Sequence, residues 1–502
     1  MKKKSIIASL LSVALAVSIT ACSGNDGFRG GSPSDPGGDW MLDTSEGFSP
    51  IQDYRHESVT ENDFMSATAS PNSYFSLDRN TASYTMMRKQ ISDSRKVAEN
   101  AVRIEEYINY FNYDYEQPTE DKALSISGTL FDCPWNDEHK LMTIGVAAEK
   151  VRFGSRKNNI VFLIDTSGSM YGNDRLGLIQ QSFTMLTDAL DPEDTVSIVT
   201  YAGDSRIALD GASGADKTHI ANVLQDLQAN GSTNGEGGIH MAYDLASKYY
   251  SKDANNRVIL ATDGDFNVGA SSKNDLYELI SEKRESGINL SVLGVGMHNT
   301  NDITMKTLAE NGNGNYAYLD SISEARKVLI QELDGTFNVV AKDTKIGVTF
   351  NADTVDKYRL IGYETKMLSQ EEFDDDKKDA GELGSGHTVT AVYEVVLKAD
   401  DDGNIATTQI KYKTPDTNEN ASVEFTLTTT NYTTTPSEDS AFISCVTEYG
   451  LLLRNSAYKG NATFESVITK LSDLNCTSTQ DGDPFKAEFL ELVKKAASIY
   501  SE

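Results

Sequence analysis

The chain has 502 residues, of which 39% are hydrophobic and 24% charged; this predicts about three folded domains and excludes a wholly disordered protein. Its 75 acidic residues outnumber the 45 basic ones and give a formal net charge of −30, which repels phosphate backbones and argues against a nucleic-acid partner. Because the whole chain has six histidines, a histidine-based metalloenzyme is not expected.

The beginning of the chain has the order of a bacterial secretion signal. Three lysines at positions 2–4 precede an apolar run over 6–19, which is too short to span a bilayer comfortably. Small residues then precede Cys22, and this resembles the bacterial lipobox, in which the cysteine is acylated and becomes the new N-terminus. Ordinary cleavage beside an incidental cysteine is the alternative, but the chain has only 4 cysteines. We predict a signal peptide over 1–21 and lipidation at Cys22.

The composition of the segment after Cys22 predicts a flexible tether. Residues 23–50 are rich in glycine, serine and proline and poor in apolar side chains, so they are expected to be flexible and to hold the folded part away from a membrane. We assign the tether to residues 22–70. The predicted location is therefore the cell membrane or the outer membrane, with the protein lipid-anchored on the extracytoplasmic side.

Three cysteines remain beyond the predicted lipidation site. An exported protein can form disulfides, and two of these cysteines lie in the same C-terminal region. We predict a disulfide between Cys445 and Cys476, which would leave Cys133 unpaired. Three reduced, buried cysteines are the open alternative, because pairing is not readable from sequence.

Strands and helices alternate from residue 158 onward. Residues 159–164 form a continuous apolar run, as expected for a strand that is buried on both faces of a parallel sheet. Apolar residues from Leu176 to Leu190 then recur at spacings of three and four, which predicts a helix. Further strands are predicted at 195–201, 257–262 and 288–295. The alternation predicts an α/β fold with a doubly wound, mostly parallel sheet, in which ligands bind at the carboxyl ends of the strands.

Oxygen-bearing side chains lie at the predicted carboxyl edge of this sheet. Asp165, Ser167 and Ser169 form a D-x-S-x-S pattern directly after the first strand, Thr233 lies in a glycine-rich loop, and Asp263 follows the 257–262 strand. This set resembles the metal-binding signature of von Willebrand factor A domains. The resemblance implies a metal-ion-dependent adhesion site in which the two serines and Thr233 bind the ion directly and the carboxylates act partly through water.

The chemistry of these donors indicates the ion and the partner. Oxygen-only ligands suit a hard cation, Mg²⁺ first, with Mn²⁺ or Ca²⁺ as alternatives. Two carboxylates only balance the charge of the ion, so an open coordination position would remain able to accept a carboxylate from a protein or glycan partner. An A-type domain that retains these loops without binding metal is the alternative.

Longer segments carry a second resemblance. They cover Phe75–Tyr84, Ala101–Glu106, Asn109–Phe111, Asn256–Gly269 and Tyr358–Glu364. These segments resemble bacterial YfbK-like von Willebrand factor A lipoproteins, and the likeness extends over most of residues 72–500. It implies the architecture of that family and leaves the biological role open.

The flanks of the central domain differ from it. Strands are predicted on both sides, and they could combine into one β-sandwich into which the central domain is inserted; the last 60 or so residues are predicted to be helical. The predicted divisions are a signal peptide (1–21), the tether (22–70), an N-terminal family region (71–117), a β-rich flank (118–155), the A domain (156–335), a β-rich domain (336–440) and a helical C-terminal region (441–502).

The predicted function is binding rather than catalysis. Nucleophilic catalysis by serine needs a base within reach, and the sequence has no G-x-S-x-G elbow and no H-E-x-x-H motif. We expect a lipid-anchored protein that binds a protein or glycan ligand through its metal site. The alternatives are an envelope assembly or chaperone-like factor with metal-tuned partner release and, less favoured, an envelope hydrolase.

Overall fold

The computed structural model describes residues 60–501, apart from 120–121, 152–155, 234, 265–272, 297–301, 399–402, 416 and 479–482. The predicted signal peptide, Cys22 and most of the predicted tether lie outside the described residues. None of the helices in the described part of the chain combines the length and the apolar character needed to cross a membrane.

Short strands and helices precede the central domain and lead into a hairpin of two longer strands. These elements are β1 (Met65–Ser66), β2 (Asn72–Ser76), α1 (Ala82–Ser92), α2 (Ile104–Ile108), β3 (Leu124–Asp132) and β4 (Lys140–Ala148). The hairpin pairs β3 with β4 in antiparallel register.

The central domain is a six-stranded sheet in the order β10-β9-β8-β5-β6-β7, with helices between its strands. Its elements are β5 (Lys157–Asp165), α3 (Leu176–Ala189), β6 (Thr195–Tyr201), β7 (Ser205–Ser213), α4 (Lys217–Gln225), α5 (Gly235–Lys248), β8 (Ala254–Thr262), α6 (Lys273–Glu285), β9 (Ile288–Gly294), α7 (Asp302–Asn311), β10 (Tyr316–Tyr318), α8 (Ile322–Arg326) and α9 (Leu333–Phe337). All neighbouring strands are parallel except the β6–β7 pair. The predicted doubly wound, mostly parallel α/β sheet is confirmed.

Alternate residues of β5 face two separate cores, which explains why its apolar run is continuous. Val161 and Leu163 belong to the core on one side of the sheet. Phe162 and its neighbours belong to the core on the other side, where its ring stacks on Phe183 of α3 with centroids 4.1 Å apart. A strand covered on both faces needs apolar residues at every position.

The strands that flank the central domain form one β-sandwich. After that domain the chain continues through β11 (Val339–Phe350), β12 (Val355–Ile361), α10 (Gln370–Asp374), β13 (Gly381–Gly384), β14 (Thr388–Leu397), β15 (Asn404–Lys413) and β16 (Asn420–Thr428). One sheet has the order β1-β12-β14-β4-β3, and the other contains β13-β11-β15-β16 with β2 paired to β11. Because β4 pairs with β14, strands from both sides of the central domain share a sheet, as the insertion hypothesis requires.

Ser385 joins the two connections between the sandwich and the central domain. Its hydroxyl accepts from Val151 N at 2.6 Å and donates to Val151 O at 2.9 Å, where the chain has just left β4. Its backbone amide donates to Asn338 O at 2.8 Å, immediately before β11 begins. Both connections are therefore fixed at one turn of the sandwich.

The C-terminal region is helical, as predicted, and packs on the N-terminal helices. Its long elements are α11 (Glu438–Leu453), α12 (Phe464–Ser472) and α13 (Pro484–Ser501). They share one apolar core with α1 and α2. Phe111, just after α2, packs edge-to-face on Phe442 of α11 and Phe489 of α13, with centroids 4.8 and 5.6 Å away. Residues from both ends of the described chain thus form one core.

The predicted disulfide is not formed in the structure. Cys445 and Cys476 are free thiols, as is Cys133. Cys445 lies within α11 and is 1% exposed among apolar side chains, whereas Cys476 lies on a short 3₁₀ turn and is only partly buried against the same core. Burial raises the pKa of the Cys445 thiol to about 12, so this thiol is held in its unreactive protonated form.

One buried carboxyl in this helical core has an unusual environment. Glu105 of α2 is buried, and within the described residues its Oε2 has no hydrogen-bond partner. Burial, reinforced by the carboxylates of Glu364 and Glu106, raises the pKa of Glu105 to about 7, although Lys306 and Arg454 oppose the shift. Ionising this group in the folded protein therefore costs free energy.

Candidate metal-binding site

The first loop of the candidate site begins where β5 ends. Asp165 is its last residue and is fully buried, and the next residues turn sharply over it. Asp165 Oδ1 accepts a hydrogen bond from Ser167 N at 2.8 Å, and the hydroxyls of Ser167 and Ser169 lie 3.0 Å apart. The turn therefore places a carboxylate and two hydroxyls next to one another.

The second loop joins the first through a residue that the sequence analysis did not assign to the site. Thr262, the last residue of β8, donates from Oγ1 to Asp165 Oδ2 at 3.0 Å and accepts from Gly264 N at 3.2 Å. Asp263 lies between these two contacts and is 1% exposed. Thr262 thus fixes the loop that carries Asp263 against the carboxylate of Asp165. A threonine directly before the second aspartate was the available sequence signal.

The third loop reaches the site through its backbone. Gly168 N donates to Gly231 O at 3.0 Å, which holds the loop that carries Thr233 against the loop of the two serines. Gly231 has a φ of +85°, a left-handed conformation that favours glycine. A side chain on Gly168 would also come within 3.3 Å of Gly231 O. Thr233 is half-buried, and its neighbour Asn234 lies outside the described residues.

Electrostatics at the site favour a bound cation. Burial raises the pKa of Asp165 to about 6, with the carboxylate of Asp263 adding to the shift and hydrogen bonds from Ser167 and Thr262 opposing it. No lysine or arginine is among these principal influences. Two buried carboxylates at adjacent strand ends therefore repel each other, and a cation between their loops would relieve that repulsion.

The donor set fits a hard divalent ion. It consists of carboxylate and hydroxyl oxygens, which Mg²⁺ and Ca²⁺ prefer over nitrogen or sulfur. Within the described residues there is no group of three or more His, Cys, Asp or Glu side chains that could hold a metal. Any ion here would accordingly depend on hydroxyls and water as well as on Asp165 and Asp263, which is the pattern that Mg²⁺ tolerates best.

The rim of the site has one prominent exposed side chain. Tyr171 follows Ser169 by two residues and is 81% exposed, while the intervening Met170 is fully buried. Arg175 Nη1 donates to Ser169 O at 2.7 Å and so helps to hold this turn in place.

Models of known protein families together match almost the whole described chain. A model described as "von Willebrand factor type A domain" matches residues 159–332, and one described as "Uncharacterized protein YfbK, C-terminal" matches residues 335–499. A model described as "von Willebrand factor" matches residues 50–143. The first of these contains all the candidate ligands.

The chain is also similar to individual proteins. YfbK of Escherichia coli (strain K12) is 36% identical over 472 residues, which cover 89% of this chain and 81% of that protein. Inter-alpha-trypsin inhibitor heavy chain H2 of Mus musculus is 27% identical over 161 residues, or 30% of this chain and 17% of that protein. A solved von Willebrand factor type A protein from Catenulispora acidiphila is 14% identical with a TM-score of 0.42, covering 68% of this chain and 81% of its own.

Proposed function

This chain belongs to the family of Escherichia coli YfbK, with a von Willebrand factor type A domain at its centre, and on that premise we propose that it is a lipid-anchored binding protein of the cell envelope. Its ligand is a protein or glycan that presents a carboxylate to a Mg²⁺-class ion. The observation that carries this proposal is that Asp165, Ser167 and Ser169 lie together at one edge of the sheet, where Thr262 bonds the loop of Asp263 to Asp165.

The proposed contact follows from the charge of the donor set. Asp165 and Asp263 balance a divalent ion without exceeding its charge, and Ser167, Ser169 and Thr233 add neutral oxygens. An ion held in this way supplies an electrophilic position for an acidic side chain of a partner. The exposed ring of Tyr171 beside the loop offers an additional contact.

The alternatives use the same site differently. An assembly or chaperone-like factor would release its partner when the ion leaves. An envelope hydrolase is supported less well, because the side chain of Ser167 hydrogen-bonds to Ser169 and to the Asp165 carboxylate within the candidate metal site. Within the described residues, neither serine contacts a histidine that could act as a base.

Calorimetric titration of the purified chain with Mg²⁺ and with Mn²⁺ tests the proposal directly. We expect one bound ion per chain that EDTA removes, and a partner captured from envelope extracts with Mg²⁺ but not with EDTA. Absence of ion binding by the folded protein would contradict the proposal. A partner that binds equally with EDTA would move the interaction to another surface.

The proposed anchor predicts a change of location for Cys22→Ala. The wild-type protein should remain in the membrane fraction after salt and carbonate washes, because several acyl chains at one cysteine give stable anchoring. The variant should lose the acyl chains and appear in the soluble fraction. Cys133→Ala is the control, since that cysteine is buried in the folded part, and should stay membrane-bound. A variant at Cys22 that also stays bound would refute lipidation there.

Thr262 should act as a positioning residue for the ion. Thr262→Val keeps the shape of the side chain but removes the hydroxyl that joins Asp165 to the second loop, so we expect Mg²⁺ affinity to fall roughly tenfold, as for other supporting groups of metal sites. Thr262→Ser should restore it. The control is Thr200→Val, which changes a buried threonine near the end of β6, two strands away from β8. This variant should bind metal like the wild type. Equal affinities for Thr262→Val and the wild type would disprove the role.

A further inference from the structure

A polar groove on the sandwich lies apart from the metal site. It has a volume of about 530 Å³ and runs between the outer face of the β3–β4 hairpin and the first turn of α11. Ser127, Thr129, Thr143 and Gly145 form its floor. Asp114, Tyr115 and Glu116 form one wall, and residues 437–440 form the other.

The floor contains an unpartnered polar side chain. Thr143 is 5% exposed and lines the groove, and in the described part of the chain its hydroxyl makes no hydrogen bond. It is directly opposite Thr129 on the paired strand, whose hydroxyl is likewise without a partner there. Thr143 is thus a nearly buried side chain with its hydroxyl accessible from the groove, and Thr129 beside it is half-buried. Both hydroxyls are available to donate to or accept from a ligand.

The wall beside the floor is fixed in place. The ring of Tyr115 lies on Gly145, where a β-carbon would come within 2.4 Å of the ring. Tyr115 Oη and Thr390 Oγ1 are 2.7 Å apart and hydrogen-bonded. The glycine therefore allows an aromatic side chain to lie flat against the sheet and to shape the groove.

The charge of the groove is strongly one-sided. Asp114, Glu116, Glu438 and Asp439 line it, and its described lining includes no lysine or arginine. Lys486 neutralises Asp439 through an ion pair of 2.8 Å. Within the described residues, the other three carboxylates have no ion-pair partner. The groove therefore complements positive charge.

The arrangement of these carboxylates favours an extended ligand over a single ion. They are not grouped closely enough to hold a metal among the described residues, and they lie on both walls of the groove. A basic polypeptide presents several separated cations together with amide groups that can bond to the threonine hydroxyls. We propose that this groove binds a basic segment of a partner polypeptide through Asp114, Glu116, Glu438 and Thr143.

The test uses fluorescence polarisation of the full-length chain in detergent with a labelled pentapeptide, Gly-Arg-Gly-Arg-Gly. We expect saturable binding that EDTA leaves unchanged, because the groove does not use the metal site. Replacing both arginines by citrulline should abolish it. Failure of the arginine peptide to bind, equal binding of the citrulline peptide, or loss of binding with EDTA would overturn the proposal.

Variants locate the binding surface. Asp114→Asn combined with Glu116→Gln should weaken binding roughly tenfold, because two charge-assisted contacts are lost. The control combines Glu419→Gln with Glu424→Gln, which neutralises two exposed carboxylates elsewhere on the sandwich and should change affinity less than about twofold, since distant exposed charges are screened. Equal weakening by both pairs would show nonspecific attraction and overturn the proposal.

The hydroxyl and the ligand class are tested separately. Thr143→Val should weaken peptide binding about threefold while Thr143→Ser should not, since only the former removes the hydroxyl. Unchanged affinity for Thr143→Val would remove this residue from the site and contradict the proposal as stated. A chitosan tetramer that displaced the peptide at much lower concentration than unlabelled peptide would assign the groove to amino sugars instead.

Discussion

Asp165→Ala is expected to reduce Mg²⁺ affinity by roughly 100-fold or more, to below detection in a calorimetric titration. The change removes one of the two carboxylates that balance the ion and also the acceptor for Ser167 N and Thr262 Oγ1. Ser167→Ala should cost less, roughly tenfold, because it removes a neutral donor atom. Partner capture that depends on Mg²⁺ should be lost with Asp165→Ala.

Two further variants separate loss of the ion from loss of the fold. Asp165→Asn keeps the size of the side chain and one acceptor oxygen, so we expect the fold to persist while Mg²⁺ no longer raises the melting temperature. Asp194→Asn changes another buried aspartate, which accepts from Asn158 N at 2.7 Å at the opposite end of the sheet. That variant should lose stability but bind Mg²⁺ normally. Ion affinity that survives Asp165→Ala would exclude this residue from the site.

Glu105→Gln should make the stability of the protein less sensitive to pH. The pKa of Glu105 is raised from 4.5 to about 7 in the folded protein. Below pH 4.5 both states hold the proton, but between 4.5 and 7 only the unfolded state releases it, so the folded state loses stability as pH rises. For this one group the loss between pH 5 and pH 8 is about 2 to 3 kcal/mol. The variant has no such ionisation.

The measurement is the free energy of unfolding in urea at pH 5 and pH 8. The variant should gain roughly 2 kcal/mol relative to the wild type between the two pH values, whatever its stability at pH 5. Glu424→Gln, in an exposed side chain of β16, is the control and should follow the wild type. A constant difference between Glu105→Gln and the wild type at both pH values would show that Glu105 is ionised in the folded protein across this range.

The sequence predicted the central domain well because its pattern is local. A strand buried on both faces needs an unbroken apolar run, and residues 160–164 provide one. The location of Asp165 and Asp263 at the same edge of the sheet could be predicted, because the carboxyl ends of parallel strands lie at one edge. That strands from both sides of the central domain share one sheet could only be a hypothesis, since no local sequence pattern shows that β4 pairs with β14.

Two features of the protein, the role of Thr262 and the acidic groove, can be recognised only in the three-dimensional structure. The role of Thr262 depends on a hydrogen bond to Asp165, which is 97 positions away in sequence, and a threonine at the end of a strand is otherwise unremarkable. The groove depends on residues from α11, the β3–β4 hairpin and the segment at 114–116. Its acidic side chains appear in the sequence as ordinary surface charge. Only their common location distinguishes them from the many other carboxylates of this acidic chain.

The insertion of the central domain also sets the order in which the chain can fold as it is synthesised. All strand pairs of that domain lie between Lys157 and Tyr318, whereas Thr390 N of β14 bonds to Asn109 Oδ1, 281 positions earlier. Contacts of such long range form slowly. One edge of β4 therefore stays unpaired until β14, which pairs with it, has been synthesised. During that interval the unpaired edge of β4 is open to pairing with another chain, which favours aggregation.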